Sequence, residues 1–97
     1  MNFELVAIER NGDRRLPCTI RLEPRGFDPR RGYSCSLELS GAIEFASLVY
    51  GACPFQASAL AHELARTLME DAEREWRFEV PETGEVSFAW APPKDMA

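Results

Sequence analysis

One stretch of this chain, Pro54–Trp76, has the periodicity of a helix, and strand-like alternation surrounds it on both sides. Pro54 suits a first helical position, because its missing N–H would have no partner there. Phe55, Leu60, Leu64, Leu68, Met69 and Ala72 fall toward one side of the predicted helix. Glu63, Arg66, Glu70, Glu73 and Arg74 turn largely to water. A lone amphipathic helix must lay its stripe on something, and the flanking segments offer only sheet. The expected fold is therefore two-layer α+β: an antiparallel sheet of four or more strands with one long helix, about 54–76, packed on one face.

The strands are read from alternation and turn chemistry. Phe3–Arg10 is a first strand, and Asn11-Gly12-Asp13 is expected to reverse the chain through the positive φ angles of a tight hairpin turn. Leu16–Leu22 follows with Leu16, Cys18, Ile20 and Leu22 on one face. Pro17 cannot donate to a ladder and belongs near the strand's start or on an edge. Glu23–Gly32, rich in Pro and Gly, is expected to be a loop. Tyr33–Leu39 resumes the alternation, Ser40-Gly41 turns, and Ile43–Tyr50 forms a fourth strand. After the helix, Arg77–Val80 and Glu85–Trp90 flank a Pro81–Gly84 turn, with Val86, Phe88 and Trp90 on one face. Residues 1–91 are expected to form one domain and 92–97 a flexible tail.

Two of these strands break the pattern. A sheet covered by one helix should present water-loving side chains on its other face. The second and third strands do so. In the first, Phe3 and Leu5 oppose Val6 and Ile8, and in the fourth, Ile43, Phe45 and Val49 oppose Ala46, Leu48 and Tyr50. The second face is therefore expected to be covered in part, by another copy of the chain, by a different partner, or by the C-terminal segments folded back. Val6, Ile8, Ala46, Leu48 and Tyr50 are the candidate partner or dimer surface.

The net charge is −5 and is uneven: residues 1–33 hold seven arginines against five acids, and residues 34–97 hold four bases against eleven acids. An acidic C-terminal half argues against nonspecific nucleic-acid binding, which neutralises phosphates with cations. No apolar run approaches the ~20 residues that span a bilayer. Glu4 and Glu9 interrupt the N-terminal apolar stretch, unlike a secretory signal. The expected address is the cytoplasm, with no membrane partner.

Few residues offer chemistry. Cys53, just before Pro54, is placed at the helix N-cap, where the terminus favours a thiolate. It is the one candidate reactive thiol, and a small residue tolerating cap geometry is the plainer explanation. His62 lies nine residues on, ~14 Å along the same helix, so the two do not form a pair within one subunit. Cys18 and Cys35 share the apolar phase of their strands, so a sheet could place them close together; buried reduced thiols are expected. With one histidine and no CxxC, no metal site is expected, and no cofactor or catalytic set. Arg25, Arg30 and Arg31, near Phe27, are a candidate anion-binding loop, partly neutralised by Glu23 and Asp28. Glu70, Asp71, Glu73 and Glu75 form an acidic run that is either a solvated face softened by Arg66–Glu70 and Glu70–Arg74 pairs or a docking surface for a basic partner.

The run Tyr50-Gly51-Ala52-Cys53-Pro54-Phe55-Gln56-Ala57, followed by the Leu60/Leu64/Leu68 helix, resembles an uncharacterised family of small bacterial proteins. That family's pattern is several antiparallel strands, a "YG-x-D-x-x-QA-L" helix start and a closing strand with a Trp. Tyr50-Gly51 and Gln56-Ala57 match, and Trp90 stands for the closing aromatic; Cys53 replaces the family's aspartate and Ser58 its leucine. The resemblance implies a helix-start device, with Gln56 reaching back as in a capping box, and no known activity. Three functions are carried forward. The leading one is a non-enzymatic protein–protein interaction module acting as a homodimer through the second sheet face or an edge strand. The alternatives are an inhibitor or immunity-type protein masking a basic partner, and a thiol enzyme or redox protein using Cys53.

Overall fold

The structure is a computed structural model and describes residues 1–88. Its elements run β1 (Asn2–Glu9), β2 (Arg15–Asp28), β3 (Gly32–Gly41), β4 (Phe45–Gly51), α1 (Pro54–Ala72), β5 (Trp76–Val80) and β6 (Gly84–Val86). The strands form one antiparallel sheet in the order β4-β3-β2-β1-β5-β6, and α1 lies across one face. The expected α+β architecture is what the chain adopts, with six strands among the described residues. Helix α1 leaves the β4 edge, crosses over β4, β3 and β2, and returns the chain to pair β5 on the far side of β1.

The core lies between helix and sheet. Leu5 and Ala7 of β1, Cys18, Ile20 and Leu22 of β2, and Cys35, Leu37 and Leu39 of β3 point at the helix and are buried. The helix answers with Ala57, Ala61, Ala65 and Met69, spaced by four and hence on one ridge. This differs from the expected stripe. Phe55 is 82% exposed and Leu60 45% exposed, while Leu64, Leu68 and Ala72 flank the buried ridge. Three alanines let the helix backbone approach the sheet closely, and Phe55 lies two residues, about 200°, away from Ala57. The approach is closest where β4 meets α1. A Cβ on Gly51 would stand 2.5 Å from the Ala57 nitrogen, so only glycine fits there.

Several boundaries move. The helix ends at Ala72, and Trp76 is the buried first residue of β5. Arg10 Nε donates to the Glu73 carbonyl at 2.5 Å, placing a cation at the helix C-terminus where the dipole favours it. The β1–β2 connection is a hairpin, but neither Asn11 nor Gly12 has positive φ; pairing stops at Ile8 opposite Arg15 and a wider loop closes on Glu9 N–H donating to Arg14 O. The Glu23–Gly32 loop is instead a hairpin arm: β2 continues to Asp28 through a bulge between Pro24 and Gly26 and pairs β3 from Gly32. Pro24 is absorbed by that irregularity. At the other end β3 runs on to Gly41, whose φ of +96° and contact with the Pro17 carbonyl admit no side chain. β4 begins at Phe45, and Ile43 packs on the core from the connection before it. The expected strand Glu85–Trp90 is represented by Gly84–Val86; Trp90 and the 92–97 tail lie outside the described residues.

Candidate functional site

The five candidate interface residues share the sheet face away from the helix, but they do not form one patch. Val6 and Ile8 lie on β1, and Ala46, Leu48 and Tyr50 on β4, with two strands between them. At ~4.8 Å per strand β1 and β4 lie roughly 14 Å apart, and the groups are also offset along the strands, Ala46 being level with Asn2 rather than with Val6. The intervening positions are polar: Ser34, Ser36 and Glu38 on β3, Thr19, Arg21 and Glu23 on β2. Ion pairs lace this face, Arg21 to Glu38 at 4.0 Å, Arg25 to Glu23 at 3.5 Å and Arg15 to Glu79 at 3.7 Å.

Ile8 is only 4% exposed, flanked by Arg15 on β2 and Arg77 on β5. The aliphatic stems of long cationic side chains cover apolar surface readily. The C-terminal strands do not fold back over this face; they extend the sheet beside β1.

β4 is different. Among the described residues it is a sheet edge, hydrogen-bonded to β3 alone. Its sequence, Phe-Ala-Ser-Leu-Val-Tyr-Gly, has no charge and no proline, the devices that normally blunt an edge. Leu48, at its middle, is 46% exposed. The opposite edge, β6, is three residues long and carries Glu85. Sequence reasoning named the even-numbered residues of β4 but did not single out its whole backbone edge; the uncharged run from Phe45 to Gly51 was the available signal.

The candidate anion site is dispersed along the hairpin arm. Arg25 donates from Nε to Ser36 Oγ at 3.2 Å besides its pair with Glu23. Asp28 Oδ1 accepts the backbone N–H groups of Arg30 and Arg31, shaping the tip. Arg31 lies over the Tyr50 ring, 5.5 Å from its centroid, and donates to the Tyr50 hydroxyl at 3.3 Å. That bond holds the guanidinium's pKa above its ordinary value. Phe27 tilts against Tyr33 at 5.0 Å at the same tip.

Cys53 is the N-cap. Its Sγ accepts the Gln56 N–H at 3.4 Å, while Gln56 Oε1 accepts the Ala52 N–H at 2.5 Å. Cys53 and Gln56 thus satisfy two backbone donors reciprocally, in the manner of a capping box but with Gln56 reaching the residue before the cap. Cys18 and Cys35 are buried and free. They share a face on neighbouring strands, yet Cys18 sits opposite Gly41, six residues along β3 from Cys35. Some 20 Å therefore separates them, and the expected proximity fails. Burial pushes the Cys18 thiol up to about 11 and raises Cys35 as well.

His62 is exposed, its Nδ1 bonded to the Ser58 carbonyl at 2.9 Å. Arg66 binds Glu63 at 2.6 Å and Glu70 at 2.7 Å, lowering the Glu63 pKa. Arg74 pairs with Asp71 at 3.6 Å rather than with Glu70. Glu73 accepts the Phe88 N–H at 2.6 Å and the Ser87 hydroxyl at 3.2 Å. Much of the acidic run thus serves the helix's own contacts. Among the described residues, no group of three His, Cys, Asp or Glu side chains could hold a metal ion.

Because α1 covers β2–β4, the described residues leave the helix-side face of β1, β5 and β6 partly open. Phe88 is strapped there by Glu73 and Arg66 and meets Phe78 edge-on at 5.7 Å. A largely apolar cleft of about 300 Å³ remains beside it, walled by Phe3, Leu22, Ala65, Val86 and Phe88, with His62 at its lining. Sequence reasoning did not find it, since it arises from where the helix stops covering the sheet.

No protein-family model matches the chain, and neither does any curated protein or solved structure compared with it. No helix among the described residues is long and apolar enough to cross a membrane.

Proposed function

We propose that this chain is a small, non-enzymatic protein–protein interaction module that works as a homodimer. The observation that carries this reading is the unguarded edge of β4: seven uncharged residues at one end of the sheet. An edge of this kind is a template for strand addition. Partner recognition by strand addition draws on backbone hydrogen bonds and needs no catalytic constellation. The resemblance of the helix start to a family of small bacterial proteins suits a bacterial role of this kind. Free thiols at Cys18 and Cys35 suit the reducing cytoplasm.

Light scattering of the full chain from low to high micromolar concentration tests the reading. A mass twice that of the 11.0 kDa chain is expected. A chain that remains monomeric throughout that range overturns the homodimer.

A further inference from the structure

We infer that β4 pairs with β4 of a second copy, antiparallel, about a two-fold axis at Leu48, joining two six-stranded sheets into one. The inference rests on the homodimer reading and names the surface that makes it. The sequence of β4 complements itself in this register. Leu48 is the central residue of Phe45–Gly51, so a dyad there places Leu48 beside its own counterpart. Tyr50 then faces the second copy's Ala46, and Phe45 faces the second copy's Gly51, so each large side chain meets a small one. Ser47 and Val49 face each other in the same way. A two-fold axis repeats every such contact twice, as an isologous interface requires.

Charge selects the same orientation. Arg31 lies exposed over Tyr50 at one end of β4. Glu44, also exposed, immediately precedes Phe45 at the other end. Antiparallel pairing brings Arg31 of each copy toward Glu44 of the other. Parallel pairing would set arginine beside arginine and glutamate beside glutamate. The opposite edge is the poorer template, because among the described residues β6 offers three residues and carries Glu85.

The test measures the dimer dissociation constant of the full chain by sedimentation or light scattering. Leu48→Asp places two carboxylates side by side at the dyad, and a loss of at least ~10-fold in affinity is expected. Arg31→Glu and Glu44→Arg should each weaken the dimer by ~3–10-fold, more at low salt, and the double swap should restore it. Both swapped positions are exposed, so they carry the test if Leu48→Asp fails to fold. A dimer whose affinity none of these variants changes overturns the β4 seat and leaves the homodimer reading standing. A wild-type monomer overturns both. Single swaps that weaken the dimer without rescue by the double swap overturn the antiparallel register.

Discussion

Among the described residues, β1 has a strand on each side, β2 and β5, whereas β4 has a neighbour on one side only. Both strands carry apolar residues on both faces. On β1 the second-face residue Ile8 is 4% exposed and has Arg15 and Arg77 directly opposite it on the adjoining strands. On β4 the corresponding residue, Leu48, is 46% exposed. A doubly apolar strand therefore has two physical meanings. In the middle of a sheet, neighbouring long side chains shield the second face from both sides. At an edge, half of that shield is missing, and the exposed side chain lies beside free backbone donors and acceptors.

The largest way to break this contrast is to unseat β5. Phe78 is fully buried, sits opposite Ala7 of β1 and holds Phe88 edge-on. Phe78→Ala is expected to cost about 3–5 kcal/mol by urea unfolding, and to raise hydrogen exchange along β1 toward that of an edge strand. Next in size, Ile8→Ala should cost about 2–4 kcal/mol. Leu48→Ala, measured below the dimer's dissociation constant, should stay within about 0.5 kcal/mol of the wild type. Equal losses from the two substitutions would erase the distinction between the strands.

The thiols sharpen it at lower amplitude. Cys18 in β2 is held protonated up to about 11 by burial, against 9.0 for an ordinary thiol. Between those two pH values the unfolded chain gives up the proton and the folded one keeps it. Stability from this group is thus constant below about pH 9 and falls, by about 2 kcal/mol, as pH rises toward 11. Cys18→Ala should remove that alkaline slope in pH-dependent urea melts. A thiol-reactive disulfide reagent should label Cys53 in the folded protein and reach Cys18 and Cys35 only on unfolding. Cys53→Asp should raise stability by about 0.5–1 kcal/mol, because a carboxylate caps a helix N-terminus better than a thiol does.

The alternation of Leu16, Cys18, Ile20 and Leu22, and of Cys35, Leu37 and Leu39, was legible because β2 and β3 have one buried and one wet face. The helix start was legible for a local reason: Cys53, Pro54 and Gln56 make their capping contacts within four residues of each other. The helix's buried ridge was not. Hydrophobicity points to Phe55 and Leu60, but close approach to the sheet selects the small residues Ala57, Ala61 and Ala65. The arm from Glu23 to Gly32 reads as a loop from its prolines and glycines, yet cross-strand pairing carries the strands past them through a bulge. Within the candidate site, alternation put Leu48 and Tyr50 on the second sheet face, but the expected grouping with Val6 and Ile8 does not hold, since alternation reports a residue's face and says nothing of strand order.

Period, turn chemistry and contacts between near neighbours were enough to set the class of fold, the helix with its cap, and which strands have a wet face. That β5 returns beside β1 and leaves β4 as the edge of the described sheet was not legible along the chain. That placement belongs to long-range pairing, in which the crossing of α1 over three strands places segments distant in sequence side by side.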